Sequence, residues 1–174
     1  GITSSTHTYN AMRGIHHREI GTLGAVLLDD DIYCEIIPDL VHVSPNAIKL
    51  LFKCKDKDKV VAITDGIESK HLPDGLYKLG GQDVIVKGSE ARLNDGTLAG
   101  STLYMNKGLK NLHDVTGLDF VDIIDLATKN PATNLNVYDY KGSINIGKDA
   151  DFAVIDKDFN VYMTINRGNV IFKK

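Results

Sequence analysis

At 174 residues, 43% hydrophobic and 25% charged, the chain is long enough for one ordinary domain with a sizeable core, or for part of something larger. A formal net charge of -3 gives it no electrostatic reason to seek nucleic acid, and no apolar run reaches the roughly 18 residues of a membrane span. The start lacks the charged-then-apolar layout of a signal peptide, and Cys34 and Cys54 have neither CxxC spacing nor a nearby histidine pair, so we expect two reduced, buried thiols in a cytoplasmic protein.

In chain order, strand-like runs recur and end on polar residues able to do chemistry. "ITSST" leads to His7, "CEIIPDLV" to His42 and "KVVAIT" to Asp65. The last is the clearest, because Val60, Val61, Ala62 and Ile63 form an unbroken apolar run, as in a strand covered on both faces. Helical patterns lie between and after. "SPNAIKLLFKCK" offers Ser44 as N-cap, Pro45 at the first helical position, and a stripe of Ile48, Leu51 and Phe52. "GSTLYMNKGLKNLHDVTG" places Leu103, Leu109 and Leu112 near helical spacing, with Ser101 as candidate cap and Gly117 as candidate stop. "DFVDIIDLATKNP" repeats the pattern before Pro131.

Strand, helix, strand is the βαβ rhythm of a parallel sheet with right-handed crossovers. In a (β/α) barrel the reactive side chains stand at the carboxyl ends of the strands, where His7, His42 and Asp65 fall. Two regions break the rhythm. Residues of about 71–97 are rich in glycine turns with short β runs at Asp83–Lys87 and Glu90–Leu93, a hairpin-like excursion. From Gly142 the chain is turns and strands, with Phe152–Ile155 apolar and Val161, Met163 and Ile165 alternating with polar neighbours. We therefore divide the chain into 1–136, a βα part, and 137–174, strands of a small β-domain that cannot close a sandwich alone.

Six motifs in order, "THTYNAMRGIHHRE", "DLVHV", "ITDG", "GTLAGSTL", "NPA" and "KGSINIGKDADFAVID", resemble the carboxyl half of the N-acetylglucosamine-6-phosphate deacetylases, a family of the amidohydrolase superfamily. The resemblance runs from about residue 3 to residue 170. It implies an α/β fold: the C-terminal part of a (β/α)8 amidohydrolase barrel plus strands of a small β-sandwich domain. The implied activity is metal-dependent removal of the acetyl group from N-acetylglucosamine 6-phosphate, giving glucosamine 6-phosphate and acetate. His7 matches a ligand of the divalent ion, with zinc first and iron, manganese or cobalt as alternatives. The family's other ligands, a glutamate and another histidine, come from earlier barrel strands, so the 174-residue stretch alone is expected to be inactive.

By the same resemblance, Asp65 matches the catalytic aspartate that moves a proton from water to the departing amine. His42 matches a substrate-contacting histidine, Asn10 and Ala11 a pair that holds the substrate, and Arg18 a phosphate contact. Leu98, Ala99 and Gly100 match a loop closing over the ligand. Each residue also has a plain structural reading: His7 as an ordinary core or surface histidine, Asp65 as a helix cap, Arg18 as part of a solvated cluster with His16, His17 and Glu19. Glycine after Asp65 and the charged loop behind it depart from the family pattern. Open strand edges point to a homodimer. Two other functions fit less of the pattern: a non-catalytic, self-associating module, and an amidohydrolase acting on a cyclic amide, for which Asn10, Ala11 and Arg18 have no obvious task.

Overall fold

A computed structural model describes residues 1–174. Three short strands, β1 (Ser4–Ser5), β2 (Tyr33–Ile36) and β3 (Val60–Ala62), form a parallel sheet in the order β1-β2-β3. The register sets Ser5 beside Cys34, Cys34 beside Val60 and Ile36 beside Ala62. All of β3 is buried, as its unbroken apolar run requires.

Helices make the crossovers. α2 (Pro45–Cys54) joins β2 to β3, and it starts as expected, with the Ser44 hydroxyl accepting from the Ala47 N–H at 3.3 Å and Pro45 in the first turn. α1 (Gly21–Leu28) joins β1 to β2 and has no sequence signal: "GTLGAVLL" lacks a polar face, and no side chain caps it. A Cβ at its Gly24 would lie 2.0 Å from Ile20 Cγ1, so a larger residue there would have to move the exposed Ile20 side chain. The run "CEIIPDLV" is strand only to Ile36, because a proline at position 38 has no N–H to offer a ladder.

After β3 the chain leaves the sheet for an antiparallel meander, β4 (Gly75–Leu79), β5 (Gln82–Lys87), β6 (Glu90–Leu93) and β7 (Leu98–Ser101), paired in that order. The excursion is thus four strands rather than a hairpin, and it extends through residues read as a ligand loop and a helix cap. α3 (Met105–Thr116) begins later than expected, on Tyr104, and stops at Gly117, whose φ of 70° is the left-handed cap position. "DFVDIIDLATKNP" gives two helices, α4 (Phe120–Asp125) and α5 (Lys129–Asn134). Pro131 sits inside the first turn of α5, where its missing N–H costs nothing.

The main core joins Ile36, Ala62, Val60, Ile48, Leu51, Leu109, Leu112, Ile123 and Leu126, so the helices after the meander return to cover the sheet. α5 ties off the sheet through Asn130, whose Nδ2 donates to Lys57 O and Val60 O, both at 2.8 Å. Ala62 N–H reaches Leu126 O at 2.8 Å. β8 (Phe152–Ile155), β9 (Val161–Asn166) and β10 (Asn169–Lys173) form a separate antiparallel sheet. Its β8–β9 turn drives Phe159 into the main core, 5.0 Å from the ring of Phe120. Around this sheet Ile144, Ile146, Ile171 and Phe172 are exposed. Of the two thiols, Cys34 is buried in β2 and Cys54 is exposed at the end of α2, against the expectation of two buried ones. No helix is long and apolar enough to cross a membrane.

Candidate active site

His7, His42 and Asp65 all leave the carboxyl end of the parallel sheet: His7 just past β1, His42 in the turn after β2, Asp65 just past β3. Parallel strands in register deliver their exits to one edge, so a sequence of separated segments converges on one rim.

The His7 turn is strained. His7, Tyr9 and Ala11 have φ of 32°, 82° and 53°, three alternating left-handed positions that L-residues adopt at a cost of about 1 kcal/mol or more each. Asn10 braces it, its N–H donating to His7 O at 2.9 Å and its amide nitrogen to the same oxygen at 3.3 Å. Thr8 locks the strand beneath, its N–H on Glu35 O at 2.7 Å. The Tyr9 hydroxyl donates to Ala47 O at 2.7 Å, and burial, then the nearby cysteines, push its phenol up to about 12.

His7 Nδ1 is buried and has no hydrogen-bond partner. An imidazole nitrogen buried without a partner is unfavourable unless some group takes it, which fits His7 to a cation or a substrate. No group of three or more His, Cys, Asp or Glu side chains in the chain could hold a metal ion, so His7 is not part of a complete catalytic ligand set within these residues.

His42 is oriented by Asp39, a residue the sequence reading passed over. His42 Nδ1 meets Asp39 Oδ2 at 2.6 Å, and the Asp39 Oδ1 atom accepts from the N–H groups of Val41 and His42 at 2.9 and 2.8 Å. Both side chains are nearly closed to solvent. Burial pushes the Asp39 carboxyl up, but the His42 ring and the two N–H groups outweigh it and hold it below the ordinary carboxylate range. An ionised Asp39 makes Nδ1 the donor, which leaves Nε2 as the nitrogen free to meet a ligand. The Asp-x-x-His spacing of "DLVH" was the available signal, since aspartate binding N–H groups two and three residues on is a common turn.

Asp65 is exposed, with a left-handed φ of 47°. Its carbonyl accepts from Ser101 N–H at 2.8 Å. Gly100 and Ser101 therefore lie against the Asp65 turn. Leu98–Ser101 is not a loop: it is strand β7, with Ala99 buried in a small core beside Val84, Val86 and Ala91. The alternation of a strand put Ala99 inward, which a glycine-flanked quartet did not announce. Ser101, read as a helix cap, instead donates its hydroxyl to Thr64 O. Arg18 stays apart. It is exposed in the 13–20 turn, where Arg13 and Glu19 pair at 2.7 Å and its own guanidinium makes no hydrogen bond or ion pair. Near Asp65, Lys70 is half-buried without an acidic partner, and desolvation lowers its pKa.

Comparison with known proteins gives the geometry a setting. The amidohydrolase family model matches residues 1–171. The N-acetylglucosamine-6-phosphate deacetylase of Bacillus subtilis (strain 168) is 44% identical over 172 residues, 99% of this chain and 43% of that protein. The N-acetylgalactosamine-6-phosphate deacetylase of Escherichia coli O157:H7 is 38% identical over 161 residues, 92% of this chain and 42% of that protein. The crystal structure of N-acetylglucosamine-6-phosphate deacetylase from Thermotoga maritima superposes with a TM-score of 0.95 at 41% identity, over 100% of this chain and 48% of that one. The chain spans less than half the length of these relatives.

Proposed function

Because the chain belongs to the amidohydrolase family, we propose that the protein it is part of hydrolyses the acetamide of N-acetylglucosamine 6-phosphate to glucosamine 6-phosphate and acetate. In this reading residues 1–136 are the C-terminal part of a (β/α)8 barrel and 137–174 are strands of an accessory β-sandwich. The observation that carries it is the shared rim: a left-handed His7 turn, a His42 fixed by Asp39, and a left-handed Asp65 turn at the exits of three adjacent parallel strands.

The carboxylate of Asp65 takes a proton from the attacking water and returns one to the nitrogen as the C–N bond breaks. His42, its Nδ1 committed to Asp39, offers Nε2 to the acetyl oxygen or a sugar hydroxyl. Asn10 and Ala11 hold the substrate, Arg18 offers the phosphate a planar fork of donors from the exposed 13–20 turn, and Leu98, Ala99 and Gly100 close over the ligand by their backbone, the Ala99 side chain being buried in the meander. His7 would be one ligand of a divalent ion, zinc or a similar metal, which when bound would acidify water and polarise the carbonyl. A catalytic ion needs about three protein ligands and no such group lies in the chain, so we expect the 174-residue stretch on its own to be inactive. Exposed Ile144, Ile146, Ile171 and Phe172 support further protein surface against the tail sheet, and we include a cytoplasmic homodimer in the reading.

The test is glucosamine 6-phosphate release by the full-length protein. We expect Asp65→Asn to lower kcat by about 10²–10⁴-fold, with N-acetylglucosamine 6-phosphate turned over faster than its galactosamine counterpart. Full activity in Asp65→Asn would overturn the role of Asp65, and preference for the galactosamine compound would overturn the substrate.

A further inference from the structure

We infer that the antiparallel meander is a clamp on the Asp65 turn, with Ser101 as the positioning residue through which it acts. This rests on the proposed role of Asp65, which it extends.

Ser101 is 1% exposed and spends every polar group it has on the segment that carries Asp65, or on its own turn. Its N–H donates to Asp65 O at 2.8 Å, its carbonyl accepts from Ile67 N–H at 3.0 Å, and its hydroxyl donates to Thr64 O. The same hydroxyl accepts from Leu103 N–H at 3.2 Å, which turns the chain away towards α3. Gly66 pairs with Ser101 in a single parallel bridge, so the turn lies alongside the end of β7. The 64–67 segment is thus pinned by one neighbour at three points, Thr64 O, Asp65 O and Ile67 N–H.

Gly100 makes this approach possible. It has φ of 65°, and a Cβ there would lie 2.5 Å from Ile67 Cγ2 and 3.0 Å from Asp65 O. Ile67 in turn packs on the small core of Val84, Val86, Ala91 and Ala99, which belongs wholly to the meander. A left-handed aspartate is unfavourable on its own and persists only where its surroundings over-determine it. Here the surroundings are the meander: hydrogen bonds hold the turn from one side, and Ile67 anchors it from below. The four strands contribute no polar side chain to this grip except the Ser101 hydroxyl. Their purpose in this reading is backbone geometry, the aim of one carboxylate.

A clamp on a proton-transfer group changes the rate of the chemical step more than substrate affinity, since a misplacement of about 1 Å costs about 10²-fold in rate. The experiment uses the full-length enzyme with N-acetylglucosamine 6-phosphate, and circular dichroism confirms that each variant is folded. Ser101→Ala should lower kcat by about 10- to 100-fold with KM within about twofold, and Ser101→Thr, which keeps the hydroxyl, should restore most of it. Val84→Ala, buried in the meander's core, should also lower kcat with KM held. Wild-type kcat in folded Ser101→Ala, or an equal loss in Ser101→Thr, overturns the clamp. If Ser101→Ala does not fold, Val84→Ala decides: unchanged kcat overturns the clamp, and a selective fall in kcat supports it. Asp65→Asn run in parallel separates the two levels, because full activity there removes the proposed role of Asp65 itself, whereas loss there with intact Ser101→Ala and Val84→Ala removes only the clamp.

Discussion

The parallel sheet and the meander solve opposite problems. β1, β2 and β3 are brief, lie far apart in sequence, and rely on covers from helices that follow the meander, Leu109, Leu112, Ile123 and Leu126 among them. The meander pairs each strand with the next and has a core of its own, Val84, Val86, Ala91 and Ala99. The first is stabilised by long-range burial and delivers side chains to a rim. The second is locally paired and delivers backbone contacts to one turn. A site assembled from both has its reactive groups on the region that depends most on the rest of the molecule, with a locally paired element bracing one of them.

Substitutions can break this comparison, beginning with the parallel sheet. Ile36→Ala, at a fully buried position of β2, should cost about 2–5 kcal/mol in urea denaturation and loosen every element together. Val84→Ala, equally buried in β5, should cost about 2 kcal/mol. Its loss of amide-exchange protection should be confined to 75–101 and the Asp65 turn, and uniform loss across β2 and β3 would show that the two regions unfold as one.

Asp39→Asn tests the turn beyond β2, with an expected cost of about 1–2 kcal/mol at neutral pH. Asp39 titrates lower in the folded chain than when unfolded, so its contribution is complete above the unfolded value of about 3.9 and fades as pH falls through the folded one. Urea midpoints of the wild type and Asp39→Asn should therefore differ at pH 7 and converge in acid. A constant gap down to low pH would mean that the carboxylate's charge is not what stabilises the turn. The smallest effect is expected at Ser44→Ala, about 1 kcal/mol for the lost cap of α2, read from the thermal midpoint.

Much of the parallel half was legible because its signals are local. Ser44 and Pro45 open a helix, Gly117 closes one, and the apolar run at Val60 marks a covered strand, and each of these stands in the structure. α1 was invisible because it is apolar all round and uncapped, so it has no periodic face to detect. "LAGS" read as a loop before a helix because small residues and glycine carry no strand pattern, and only pairing with β6 makes it β7. Ser101 was placed at a helix start by its residue type, since serine caps are common, yet its partners are residues 64 to 67. Asp39 was present in "DLVH" but needed the turn to bring its carboxylate onto the imidazole.

By itself, the order of residues determined which segments are strand or helix where caps and apolar runs are strong, and which histidines and aspartate follow strands. Periodicity and capping act over a few residues, so they survive in a one-dimensional reading. Tertiary structure alone decided that His7 Nδ1 is buried without a partner, that His42 is held by Asp39, and that a strand about 35 residues downstream grips the Asp65 turn. Those facts depend on which backbone groups find each other after the chain has returned on itself, and hydrogen bonding between distant segments leaves no periodic trace in the sequence.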